Sequence, residues 1–179
     1  MPPNTPIINQ PHNTIKKSPK SKVWQPRVIS DAPNRYDKNG QKHGQWVEDS
    51  GLYIWINNYD HGKKDGVQYG YLDEYLSFIE ECKQGKTINI WHLNQNRLRM
   101  HFYDFEECDT TFHNGSMMQH FIGRCKVNAY HNNGDIEAID IVYFDEEGPE
   151  MDCSYVIPIY RYDEKGNQLH PTDKELSID

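Results

Sequence analysis

Nine histidines, four cysteines and two clusters of acids are the residues in this sequence with ligand or proton-transfer chemistry. Cys82, Cys108, Cys125 and Cys153 form no C-x-x-C pair and are widely and irregularly spaced. A zinc site places at least two ligands within a few residues of each other, so these read as reduced, partly buried thiols. His92 and His101 lie in a clear hairpin pattern. If 87–93 pairs with 97–103 across the three-residue loop Asn94-Gln95-Asn96, then Ile88 and Ile90 share a face with Leu98, Met100 and Phe102. That register puts the two histidines on opposite faces, where they cannot share a metal. His43 and His61 belong to turn signatures. The acids Glu106, Glu107 and Asp109, and Asp145, Glu146 and Glu147 with Glu150 and Asp152, do not have EF-hand spacing and read as solvated turns. No nucleotide loop, nucleophile elbow or H-E-x-x-H occurs, and no pair of acids is singled out for hydrolysis. The expectation is a non-enzyme with no catalytic residue, no metal and no cofactor.

The elements that carry these residues are set by an internal repeat. Gly40-Gln41-Lys42-His43-Gly44 recurs as Gly62-Lys63-Lys64-Asp65-Gly66, and Gly85 continues the series. A second signature puts an aromatic four positions before a glycine: Tyr36 and Gly40, Tyr130 and Gly134, Phe144 and Gly148, Tyr162 and Gly166. A three-step version is Tyr59-Asp60-His61-Gly62, echoed by Cys82-Lys83-Gln84-Gly85. The aromatic ends a strand, and the Asn, Asp and Gly that follow tolerate positive φ and close a turn. Gly40, Gly44, Gly62, Gly66, Gly85 and Gly134 are therefore read as structural. The second glycine of each pair is expected to let the backbone bend or a neighbouring ring lie flat against it. Hairpins of about 22 residues are marginal alone and must stack into one sheet.

Over 36–66 the pattern resembles the MORN-repeat variant found in YwqK-type antitoxin proteins, in which N-G-x-x-H-G-x-W is followed by Y-x-N-G-x-x-x-G. Asp49 and Gln68 depart from it, where the pattern has Tyr and Trp, and 105–118 does not match. The resemblance implies a β-hairpin fold and antitoxin or immunity activity.

The fold expected is all-β: an antiparallel hairpin meander forming a single extended sheet over 35–170, with an insert at 105–118. Later strands are expected at 118–130, 136–144 and 154–162. Residues 73–82 carry both a helical spacing, through Leu72, Leu76 and Ile79 with Asp73 as cap, and the strand phase of the repeat; the strand is preferred.

Charge divides the chain. Residues 1–30 contain no acid and five cations, which leaves −13 for the remainder of a chain whose net charge is −8. The proline-rich stretch 1–34 reads as a disordered basic arm with a short apolar anchor at 23–29, and 171–179 as a flexible acidic tail. Arm contacts to an acidic surface would come from Lys16, Lys17, Lys20, Lys22, Trp24 and Arg27. No apolar run approaches a membrane helix and no signal-peptide h-region is present. A cytoplasmic location, or one within a virus-like particle, is expected. The aromatic, acidic sheet suits a protein partner, a basic one in particular, bound through Trp46, Tyr53, Trp55, Tyr59, Tyr69, Tyr71 and Trp91. Each of these has an alternative role in sheet packing. Membrane binding is not expected, and nucleic acid only through the arm. The alternative function is a structural subunit of a larger assembly, such as a phage particle, tied to its neighbours by the arm.

Overall fold

The computed structural model describes residues 29–73, 75–114, 117–145 and 153–169. All six proposed arm contacts, most of the anchor, the acidic tail and the Gly148 turn lie outside the described residues.

Among the described residues the chain is all-β, without a helix. The strands are β1 (Arg35–Tyr36), β2 (Lys42–Asp49), β3 (Tyr53–Asp60), β4 (Lys63–Lys64), β5 (Gly66–Leu72) and β6 (Tyr75–Lys83), then β7 (Lys86–Asn94), β8 (Arg97–Asn114), β9 (Met117–Tyr130), β10 (Ile136–Phe144), β11 (Cys153–Tyr162) and β12 (Gln168–Leu169). They form one antiparallel sheet in the order β1-β2-β3-β5-β6-β7-β8-β9-β10-β11-β12, with β4 also on β3. It is the expected meander. Both outer strands are only two residues long, which limits the unpaired edge offered to other chains.

The two turn signatures make two turn geometries. The four-step signature places its tyrosine opposite the residue six positions on: Tyr36 opposite Lys42, Tyr130 opposite Ile136, Tyr162 opposite Gln168. In the first and last of these, the aspartate after the tyrosine accepts two backbone N–H groups of its own turn. Asp37 Oδ1 takes those of Asn39 and Gln41, and Asp163 Oδ1 those of Lys165 and Asn167. The three-step signature closes with two residues of positive φ, His61-Gly62 and Gln84-Gly85, as a two-residue hairpin requires. Successive repeats are tied at equivalent points: Gly62 N–H donates to Lys42 O and Gly85 N–H to Lys64 O, each at 2.8 Å.

The second glycine of the pair bends the backbone. Gly44 and Gly66 have φ of 75° and 83°, and the space where a side chain would project is open. The rings that press on glycine are elsewhere, the face of Trp55 on Gly70 and the Cζ–Cε2 edge of Phe144 on Gly123. Gly66 begins β5 inside the stretch from Lys64 to Tyr69, which is two residues longer than the β3 segment from Tyr59 to Ile56 that it faces. Gln68 satisfies the backbone there: its side chain accepts from Asn58 N–H and donates to Gly66 O. This explains why Gln68, fully buried, stands where the repeat pattern has Trp. Asp49, the other departure, accepts the Gly51 N–H and caps the turn between β2 and β3.

The sheet has a core on each face. Ile90, Phe102, Cys125, Val127, Val142 and Phe144 form one over β7 to β10. Leu76, Ile79 and Leu93, with Val67, Tyr69, Tyr71 and Trp91, form the other over β5 to β7. The cross-strand pair Ile90 and Phe102 and the adjacent pair Trp91 and His101 mark the two faces on β7 and β8.

One expectation is corrected by a bulge, and a second bulge accounts for the mixed spacing of a segment expected as strand. The loop between β7 and β8 is two residues, Gln95 and Asn96, and Arg99 is extra: Leu93 pairs with Leu98 but His92 with Met100. Leu98 therefore lies on the Leu93 face, opposite Met100 and Phe102. In β6, Ser77 is extra in the pairing with β5, so Leu76 and Ile79, three apart, both reach one core. That bulge produces the helix-like spacing in a segment that is strand. Of the 105–118 stretch, outside the repeat pattern, the residues to Asn114 continue β8 and pair with β9, which begins at Met117.

Candidate functional site

The register divides the seven candidate partner aromatics. Trp55 lies opposite Gly70, and Trp46 opposite Asn57, which places Trp46, Tyr53, Trp55 and Tyr59 on one face. Tyr71 pairs with Ile54, Tyr69 with Ile56 and Trp91 with Ile79, so Tyr69, Tyr71 and Trp91 are on the other. The seven do not form one surface. Most pack within the sheet. Trp46 is buried, donates its Nε1–H to Arg35 O at 3.0 Å and carries the Lys42 ammonium over its ring at 4.5 Å. Trp55 covers Gly70 and meets Phe78 edge-on, and Trp91 stacks on His101 at 4.9 Å.

Tyr53 is the exposed member. It pairs directly with Leu72, and Leu72 with Tyr75, giving an apolar row across three strands. Leu52 adjoins it, its carbonyl accepting the Asp73 N–H. These four side chains are between 36% and 50% exposed. Asp49 and Asp73 stand beside the row, both exposed. The aromatic count in the sequence pointed to Tyr53. Leu52, Leu72 and Tyr75 were missed, because nothing short of the register brings them together.

A second cluster lies at the first repeat. His43 on β2 and His61 in the turn after β3 have ring centroids 4.7 Å apart. Asp60 Oδ1 is 3.6 Å from His43 Nδ1 and 3.7 Å from His61 Nε2. His61 Nδ1 is 2.6 Å from Asp37 Oδ2, and this hydrogen bond pushes the His61 pKa up and holds that of Asp37 below the usual carboxylate range. Gln84, in the turn one repeat on, donates to Asp60 Oδ2 at 3.5 Å and to Asp65 Oδ2 at 3.1 Å. One ligand atom each from His43, Asp60 and His61 fall within 4.8 Å of one another. These are the described residues that could hold a metal ion. The signal lay in the repeat offset, which ties Gly62 of the turn to Lys42 beside His43.

Other reactive types are sequestered or spent. Burial first, and Glu80 next to it, push the Cys82 thiol up to about 12, so it is no nucleophile at neutral pH. The Glu80 side chain is 2% exposed and is held by Lys64 Nζ at 3.0 Å and Thr87 Oγ1 at 2.7 Å. Arg161 is bonded to Asp140. A hollow of about 270 Å³ at the β7–β8 turn is lined by Asn94, Gln95, Arg97, Arg99 and Asn132, a polar lining unlike the mostly apolar pockets of small-molecule sites.

His92 lies between Phe78 and Phe102, its ring 5.4 and 5.2 Å from theirs. Burial pushes its pKa below the usual 6.5, and that of His101 likewise. The unfolded chain then binds protons that the folded chain refuses. Stability is unaffected above the unfolded pKa and is lost as pH falls below it. His92 and His101 should lower the melting temperature between about pH 7 and pH 5, against the opposite contribution of His61, whose pKa is raised, and His92→Leu should remove its share of that loss. An unchanged slope in His92→Leu would contradict the burial of a neutral imidazole there.

Comparison of the chain with protein-family models, with curated proteins and with solved structures gives no match. No helix among the described residues is long and apolar enough to cross a membrane.

Proposed function

We propose that this chain is a non-catalytic protein-binding module, of the antitoxin or immunity kind that its repeat resembles, and that it holds a basic partner. The observation carrying this reading is the row formed by Tyr53, Leu72 and Tyr75 with Leu52 beside it. Two exposed tyrosines and two leucines at one end of a rigid sheet have the composition of an interface centre, and Asp49 and Asp73 supply a polar rim. The −13 body accounts for the sign of the partner's charge.

The test is a pull-down from the native source followed by kinetics on the partner retained. Tyr53→Ser with Tyr75→Ser should leave the fold intact and weaken binding by about 30-fold, mainly through faster dissociation. Met118→Ser, an exposed apolar change on β9, should have no effect. Association of the wild type should slow as salt is raised past about 0.15 M, where screening shortens the field to roughly 8 Å. Equal binding by the double variant removes the row from the interface. Turnover of a small molecule by a chain that retains no protein removes the non-catalytic reading.

The charge split of the sequence favours one other reading, a subunit of a larger assembly such as a phage particle. Deleting residues 1–22 should then abolish incorporation into the particle, whereas under the first reading it leaves partner binding largely intact.

A further inference from the structure

We propose that His43, Asp60 and His61 form a binding site for a zinc-class divalent ion, with Asp37 and Gln84 positioning two of the ligands. Two imidazoles and one carboxylate are a donor set suited to a borderline transition dication, and unsuited to calcium or magnesium, which take oxygen ligands. Asp60 Oδ1 lies 3.6 and 3.7 Å from a nitrogen of each imidazole, close to the roughly 3.4 Å between ligands around a tetrahedral zinc ion, and one donor atom from each of the three residues falls within 4.8 Å of the others. Closing the rest of that spacing takes side-chain adjustment at the two exposed imidazoles.

The supporting groups make this more than a chance meeting of three side chains. Histidine ligands of zinc usually donate their second ring N–H to a carboxylate, which fixes the tautomer and raises basicity at the ligating nitrogen. Asp37 does this for His61: it takes the Nδ1 side at 2.6 Å and leaves Nε2 turned toward Asp60. Asp37 is itself rigid, because its other oxygen caps two amides of its turn. The matching aspartate at the far end of the sheet, Asp163, makes the same caps, with its second oxygen on Asn167 of its own turn. Gln84 does for Asp60 what Asp37 does for His61, binding Oδ2 while Oδ1 faces both imidazoles.

The repeat supplies the placement. His43 and Asp65 occupy equivalent positions before the second glycine, and His61 and Gln84 equivalent positions in the turn. The first repeat thus meets as two imidazoles and the second as Asp65 with Gln84, so the ligand set exists at one repeat junction. A bound ion would join the β1–β2 turn, through Asp37, to β2 and β3. Three protein ligands leave at least one position open for water or for a donor from a partner.

The test uses the full-length, metal-stripped protein and the metal alone. Zinc titrated calorimetrically should bind at about one equivalent with a micromolar Kd, the range suited to an exposed site, while magnesium and calcium should not bind. Cobalt(II) should give the visible absorption of a low-coordinate site and be displaced by zinc. His61→Asn is the main variant, since asparagine tolerates the positive φ of this turn position; it and His43→Gln should each weaken zinc binding by about 100-fold or more. Asp37→Asn should weaken it by about 10-fold without abolishing it. His120→Ala, which removes a different exposed histidine near Asp109, should bind as wild type. Zinc at about a hundredfold excess over Kd should raise the melting temperature of the wild type by about 5 °C and leave that of His61→Asn unmoved. No zinc binding by the wild type, or equal binding by His43→Gln and His61→Asn, overturns the assignment. Because every readout is on the metal, the result is independent of whether the chain binds a protein through Tyr53 and Tyr75.

Discussion

Gly123→Val is expected to lower the melting temperature by about 10 °C, corresponding to roughly 3 kcal/mol in a chain of this size. Gly123 pairs directly with Phe144, whose ring atoms Cζ and Cε2 occupy the place where a Cβ would stand, and the Glu106 carbonyl is 3.2 Å from the same point. The added methyl groups would displace Phe144 from the core it shares with Val142 and Phe105. Gly66→Val should cost less, about 1–3 kcal/mol, because its cause is different: φ is 83° with nothing within 4 Å. The two mechanisms have different remedies. Gly66→Asn should be mild, since asparagine visits that backbone region. Gly123→Asn should be nearly as severe as valine, while Phe144→Leu combined with Gly123→Ala should lose less than the sum of the two single changes. Additive losses in that cycle would mean the ring does not rest on the glycine.

Lys64→Met is expected to cost about 2 kcal/mol, and adding Glu80→Gln should restore much of it. The Glu80 carboxylate is withdrawn from water, with its side chain 2% exposed, and Lys64 is its cation. Removing the cation leaves a desolvated charge with Thr87 and the Cys82 thiol beside it. The figure is set below that for a fully buried pair because the lysine side chain is 32% exposed and already meets solvent. In the double variant the neutral amide still accepts from Thr87 and the methionine packs where the lysine stem lay. Chemical denaturation of the four members of the cycle gives the coupling. A double variant less stable than Lys64→Met alone would show that the Glu80 charge is accommodated there without its cation.

How far the sequence could be read follows from which signals are local. A turn is decided by four to six residues, so Tyr-Asp followed by glycine gave both turn geometries and the meander. The β6 segment was resolved as strand by repeat phase against its own spacing, since one extra residue, Ser77, turns a period of two into a step of three. The same device at Arg99 moved Leu98 across the sheet. A bulge leaves no mark in composition, and every residue beyond it changes face. Alternation along β3 alone puts Tyr53, Trp55 and Tyr59 on one face, as observed, yet the faces of the other four aromatics relative to these depend on registers across four strand pairs. The histidine cluster was missed for a related reason: His43 and His61 are 18 apart and were assigned to separate turns, while the contact between them belongs to the stacking of one repeat on the next.

The order of strands across the sheet is the order in which a ribosome makes them. A strand emerging during synthesis finds its partner already present in the strand just before it, and loop closure costs little over such short separations. Among the described residues no strand must wait for one encoded far downstream, as the central strands of a Greek key or a parallel sheet do. At any stage of translation a single strand is the growing edge, and it is covered within the next ten to twenty residues, about a second or a few at ordinary rates of elongation. The edge most exposed to wrong pairing is therefore transient and always the newest.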